Sequence, residues 1–204
     1  MATKQQLSRL RGQRTRTFRN GWSPNFRLLM AVGAAALVVL AVTALLPRTA
    51  TTRALACSGA DAKTGLDVGQ CAPDFTLSDL RGKRVSLASF RGHPVLLHFW
   101  AAGCSTCKAE YPDFSRVVAA YRPRGLDVLA VDAWGETLPL VQDWQDGHHL
   151  PATLLVDPST GVASMYHGTG TPTTYLIDRA GRVAFGQTGP LSYAVYQHQI
   201  DKVL

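Results

Sequence analysis

Cys104 and Cys107 stand two residues apart at the end of Phe99-Trp100-Ala101-Ala102-Gly103-Cys104-Ser105-Thr106-Cys107. The largely apolar run 94–99 before them reads as a buried strand, and the residues from 104 onward as a helix. Two thiols in the first turn of a helix can close a small disulfide ring. The free N–H groups and the positive end of the helix dipole stabilise a thiolate there. A thiolate is the species that attacks disulfides. A C-x-x-C at a strand-to-helix junction therefore points to redox chemistry. The other uses of such a pair are half of a zinc site or a structural bridge. Zinc would need two further ligands in a second cluster, and the chain has no second C-x-x-C. No metal and no cofactor are expected.

The elements around the pair must hold it rigidly. Short β-prone runs at 75–77 and 85–87 flank a turn at 79–83 and predict an N-terminal hairpin. Strands are expected at 95–100, 126–131 and 150–156, with helices at 104–121 and 138–147 crossing between them. Apolar residues at Cys107, Tyr111, Phe114, Val118 and Tyr121 give the first helix its buried stripe, and Pro112 should kink it. A short helix at 163–166, a hairpin of 173–177 with 182–187 and a closing helix at 192–204 complete the pattern. Strands alternating with helices and ending in a hairpin fit a mixed α/β sheet with helices on both faces.

Charge divides the chain. The first 56 residues hold nine basic residues and no acidic one, leaving 12 basic against 14 acidic residues in the rest. The net charge of +7 therefore belongs to the N-terminal region, and a nucleic-acid partner for the folded part has little support. Residues 28–46 carry no charge and span about 28 Å as a helix, close to the hydrocarbon thickness of a bilayer. Seven basic residues precede this run, which puts the N-terminus inside and the residues after about 50 outside. The competing reading is a cleaved signal peptide, since Ala54-Leu55-Ala56 matches a small-x-small site. The run is longer than the usual apolar core of a signal peptide and ends well before that site, which favours an uncleaved anchor. The expected organisation is a basic cytoplasmic segment at 1–27, a transmembrane signal anchor at 28–46, a small-residue polar tether at 47–70 and one redox domain at 71–204.

Five segments of that domain carry a family resemblance. They are Ala72-Pro73-Asp74-Phe75-Thr76-Leu77, the cysteine motif continued through Lys108-Ala109-Glu110-Tyr111-Pro112, Val128-Leu129-Ala130-Val131-Asp132, Leu154-Leu155-Val156-Asp157-Pro158, and residues 170–182 from Gly170-Thr171-Pro172 onward. In these, residues 71–204 resemble the membrane-anchored thioredoxins of the TlpA/ResA type, found on the outer face of bacterial cytoplasmic membranes. The resemblance implies a thioredoxin fold with an N-terminal β-hairpin and an extra crossover, preceded by one transmembrane helix.

The resemblance also assigns roles. Cys104, nearest the helix N-terminus and expected to be the more exposed, would be the attacking thiolate, and Cys107 the resolving thiol. Pro172 would be the cis-proline facing the cysteines, leaving the Thr171 backbone free to pair with a substrate chain; X-Pro is also the peptide bond with cheap access to cis. Trp100 would form a wall beside the thiols on the substrate side. Glu110 corresponds to a partly buried glutamate that helps manage the thiol protons, and a buried carboxylate of raised pKa suits that task. A solvated helix glutamate is the alternative. His98 stands where thioredoxin has a buried aspartate; it is either a proton relay or a satisfied core histidine. The sequence departs from the family at Gly103, where tryptophan is common, and at Thr106, where proline is frequent. Both departures leave the redox potential open. Cys57 and Cys71 are a second pair, bridged in an oxidising compartment or, with Cys57 in the tether, free. His93, His148, His149, His167 and His198 read as surface residues.

The expected function is an anchored extracytoplasmic thiol–disulfide oxidoreductase that reduces disulfides of exported proteins and is recharged by a membrane electron-donor protein of the thiol-reductant type. In this family the typical substrates are apocytochrome c and copper-site assembly proteins. Two other readings compete, a thiol peroxidase of the same fold and a copper-delivery protein on a thioredoxin scaffold. Peroxidase sites place one cysteine after Pro-x-x-x-Thr, and copper carriers usually space their cysteines by three. Neither pattern is present.

Overall fold

The computed structural model describes Cys57 and residues 63–204. The expected cytoplasmic segment, the anchor at 28–46 and most of the tether lie outside the described residues. Among the described residues no helix is long and apolar enough to cross a membrane.

All six residues of strand β3 (Val95–Trp100) are buried. A strand covered on both faces must be apolar almost throughout, which is why this run was legible without alternation. It lies inside one seven-stranded sheet with β1 (Thr76–Asp79), β2 (Arg84–Ser86), β4 (Asp127–Asp132), β5 (Thr153–Val156), β6 (Thr173–Ile177) and β7 (Val183–Thr188). The order is β2-β1-β5-β4-β3-β6-β7. Strands β3, β4 and β5 run parallel, and the pairs β1–β2, β1–β5, β3–β6 and β6–β7 are antiparallel. Parallel neighbours need crossovers. Helix α1 (Ser105–Tyr121) joins β3 to β4, and α2 (Leu138–His148) joins β4 to β5. Helices α3 (Gly161–Met165) and α4 (Tyr193–Ile200) complete the chain.

Side chains of β3 alternate between two cores. Leu96 and Trp100 pack with Phe114, Val117, Val118 and Tyr121 of α1 and Tyr196 and Ile200 of α4. Val95, Leu97 and Phe99 pack on the other face with Phe75, Leu87, Ala163 and Tyr166. His98 shares the α1 face and stacks on Phe114, ring centroids 4.1 Å apart.

Several expected bounds shift. The strand expected from 150 begins at Thr153, because Pro151 offers no N–H to a ladder. The helix expected at 163–166 is α3, two residues earlier, and the closing helix ends at Ile200 rather than 204. A 3-10 turn at Leu87–Phe90 was not foreseen; the Ser86 hydroxyl and the Asp74 carboxylate both accept from the Ala88 N–H. Pro112 lies within α1 and does not interrupt it. On that helix Tyr111 is only half-buried, and Glu110 takes a place in the interior.

Cys57 and Cys71 form a disulfide with Cα atoms 5.5 Å apart. The Cys57 N–H donates to the Ala180 carbonyl in the β6–β7 turn, at the opposite end of the sheet from Cys104. A cross-link closing a loop of this size contributes roughly 3 kcal/mol by limiting the unfolded chain. Replacing both cysteines by serine should lower stability by about that amount while leaving the dithiol site in place. Urea unfolding without reductant measures it, and an unchanged midpoint would show that the bridge adds nothing.

Candidate active site

β3 delivers the chain to the N-terminus of α1, where Cys104 is the cap residue, extended at φ −75° and ψ 112°. Its Sγ accepts from the Cys107 N–H at 3.1 Å. The two sulfurs are joined in a disulfide with Cα atoms 5.3 Å apart. This is the place where unpaired helix N–H groups stabilise negative charge on sulfur. Contrary to expectation, exposure does not distinguish the two thiols. Cys104 is 4% exposed and Cys107 8%, because the turn before β6 lies over Cys104. What distinguishes them is position, with only Cys104 at the cap.

That turn contains a cis peptide bond between Thr171 and Pro172. Antiparallel pairing of Phe99 with Thr173 brings it beside the end of β3. The Thr171 carbonyl oxygen stands 3.8 Å from Cys104 Sγ. Thr171, Pro172, Cys104 and Cys107 are thus brought together. Trp100 is not on their outer surface. It is 3% exposed and covered by Trp144 at 4.1 Å between rings, so it is an inner wall and offers no face to substrate. With His98, Cys107, Lys108, Tyr111, Phe114 and Trp144 it lines a cavity of about 20 Å³, room for roughly one water.

Behind Cys107 lies a buried polar network. Glu110 Oε1 accepts from the Leu191 N–H at 2.7 Å and from the Tyr196 hydroxyl at 2.8 Å. Its Oε2 has no hydrogen-bond partner and stands 3.9 Å from His98 Nε2. His98 Nδ1 meets Thr174 Oγ1 at 2.9 Å, across the β3–β6 ladder, and Thr174 Oγ1 meets the Tyr196 hydroxyl at 3.3 Å. Burial raises the Glu110 pKa above the usual carboxylate value, against the lowering effect of its two donors. Burial lowers His98 to about 3, so the imidazole is neutral at physiological pH. Glu110 is therefore interior, not a solvated helix glutamate.

His93 and His98 have the spacing H-x₄-H, yet they do not form a ligand pair. His93 is exposed and meets Asp127 at 3.2 Å, whereas His98 is engaged in the core. Among the described residues no group of three or more His, Cys, Asp or Glu is placed to hold a metal.

Glu136 was missed. Its carboxylate accepts from the N–H groups of Ala102 at 2.7 Å and Gly103 at 3.0 Å, immediately before Cys104. The buried Asp132 at the end of β4 accepts from the N–H groups of Trp134 and Glu136 and so fixes the loop that supplies it. The only signal in the sequence was the pair of acids four residues apart at the end of a buried strand. A buried hydrogen bond to a carboxylate contributes about 1.5–3 kcal/mol; of these two one is exposed and the other half-buried, so each contributes about 1 kcal/mol. Glu136→Ala should therefore lower stability by about 2 kcal/mol, read from denaturant midpoints, and a shift below about 0.5 kcal/mol would contradict this role.

Fold and site define a thioredoxin-type thiol–disulfide oxidoreductase. Residues 68–185 match the model of the AhpC/TSA family. The chain is 32% identical over 141 residues to the thiol-disulfide oxidoreductase ResA of Geobacillus kaustophilus, covering 69% of this chain and 80% of that one. It is 30% identical over 141 residues to ResA of Bacillus subtilis, covering 69% and 78%. Among solved structures, a thiol:disulfide interchange protein described as DsbE from Chlorobium tepidum matches with a TM-score of 0.63 at 30% identity, over 68% of this chain and 99% of that one. The chain belongs to the ResA-like thioredoxin family.

Proposed function

We propose that the protein is a membrane-anchored reductase of disulfides in exported proteins. The observation that carries this reading is a C-x-x-C pair at a helix N-terminus facing the carbonyl of Thr171 in the cis-proline turn. In the reduced protein the Cys104 thiolate attacks one sulfur of a substrate disulfide. The other substrate sulfur leaves as a thiolate and takes up a proton. Cys107, giving its proton toward Glu110, then attacks Cys104 Sγ; the Cys104–substrate S–S bond breaks, and the second substrate sulfur departs as a thiolate that takes up a proton. Two electrons have passed to the substrate, and the protein holds the Cys104–Cys107 disulfide. A membrane thiol-reductant protein restores the dithiol. Resemblance to the family supports apocytochrome c or copper-site assembly proteins as substrates.

Supplying the reduced protein with insulin, hydrogen peroxide or Cu(I) tests the reading. Insulin reduction with loss of both thiols is expected. Preferential consumption by peroxide, or occupation by Cu(I) without oxidation, would replace it by the peroxidase or the copper-delivery alternative.

Support for the anchor is the uncharged run 28–46 with seven basic residues before it. The expected result is a mature chain that retains this run and sediments with membranes, its redox domain outside. A mature N-terminus at Cys57, read by mass spectrometry, would overturn it.

A further inference from the structure

Among the described residues, six large apolar side chains are exposed, and three of them fall within seven positions: Trp134, Leu138 and Leu140. Trp134 is 50% exposed and directly adjoins the redox site. A Cβ placed on Gly103, the residue before Cys104, would lie 3.4 Å from Trp134 Cζ3. The ring therefore stands along the side-chain-free backbone that leads into Cys104.

Its mount is built. Asp132 holds the Trp134 and Glu136 N–H groups from one side, and Glu136 grips Ala102 and Gly103 from the other. Between them Gly135 has φ +67°, and any Cβ there would meet the Pro158 carbonyl oxygen at 3.1 Å. Left-handed backbone and that close approach require glycine. Half of the Trp134 surface is buried in the monomer, and the other half is an apolar face left in water at the edge of a reactive centre.

We infer that Trp134 is a docking platform for the substrate polypeptide, an extended chain with an apolar side chain within a few residues of its reacting cysteine. This rests on the reductase reading above and names its substrate class. The occupant follows from position. Cys104 lies between the exposed Gly103 and the Thr171 carbonyl, 3.8 Å from its sulfur, so a chain that bonds to Cys104 and runs over Gly103 carries its neighbours against the ring. Burying an aromatic face against an apolar side chain gives roughly tenfold in rate or affinity.

The test uses two synthetic disulfide peptides, identical except that leucine or serine stands two residues from the cysteine. Each is mixed with the reduced full-length protein in detergent, and the ratio of their second-order rates is read. Wild type should prefer the leucine peptide roughly tenfold. Trp134→Ala should bring the ratio close to one, Trp134→Phe should keep part of it, and Val195→Ser, on α4, should leave it unchanged. A ratio within each variant is insensitive to any change in Cys104 itself. Equal rates in wild type, or a preference that survives Trp134→Ala, would overturn the platform while leaving the reductase reading intact. A dimer dissociated by Trp134→Ala, with no peptide preference, would assign the ring to a second copy of the chain. Reaction with neither peptide would instead sink the reductase reading.

Discussion

Cys104→Ser is expected to reduce insulin no faster than buffer, whereas Cys107→Ser is expected to accumulate a covalent complex with its substrate. The asymmetry follows from where the helix begins. Cys104 is the cap of α1, and its sulfur already accepts the Cys107 N–H at 3.1 Å. Negative charge on that atom is favoured by the dipole and by the donor, and motifs of this type bring the attacking thiol from about 8.5 to near 7. Cys107 sits inside the first turn rather than at the cap, and it faces the small cavity of His98 and Trp100. Without Cys104 there is no activated nucleophile. Without Cys107 the first mixed disulfide has no internal thiol to release it. Non-reducing electrophoresis and intact mass would show the adduct. Normal turnover by Cys107→Ser, or an adduct formed by Cys104→Ser, would reverse the assignment.

Much of this arrangement is legible in the sequence, for definite reasons. β3 is buried on both faces, so its run of apolar residues marks it at once. The α1 stripe has helical spacing, and the hairpin turn at Asp178–Gly181 uses glycine at φ +85°. The cysteine pair and Thr171-Pro172 were found because their chemistry is local to a few residues. What stayed hidden depends on contacts distant in the chain. Glu136 reaches Gly103 across 33 positions, and Glu110 reaches Tyr196 across 86. No spacing rule links such residues. Trp100 is the expected packing wall beside the thiols, but its closure to substrate was hidden for the same reason, since its cover, Trp144, comes from α2. The relative exposure of the two thiols was misjudged because the turn before β6 closes over the cap.

The buried pair of Glu110 and His98 should give two variants with opposite dependence of stability on pH. His98 is lowered in the folded protein to about 3 from its ordinary 6.5. A depressed value contributes stability that is present above 6.5 and is lost as pH falls, because the unfolded chain binds the proton and the folded one does not. Glu110 is raised above its ordinary 4.5. Its folded form takes up a proton first on acidification, so its contribution is present below 4.5 and is lost as pH rises through the folded value. Tyr196, which donates to Glu110, is itself pushed well above 10 and stays neutral throughout. In wild type the two contributions oppose each other from 4.5 up to the raised Glu110 value. Glu110→Gln removes one and should expose the other, a loss of about 1.5–2 kcal/mol between pH 6.5 and pH 5. His98→Asn should show the reverse, gaining stability on acidification relative to wild type. Urea midpoints across this range measure both slopes. If Glu110 takes the Cys107 proton as proposed, the same Glu110→Gln protein should also show a shifted pH profile for thiol alkylation. Parallel slopes in wild type and both variants would mean that the pair does not titrate as its burial requires. An alkylation profile that moves with His98→Asn and not with Glu110→Gln would transfer the proton-handling role to the histidine.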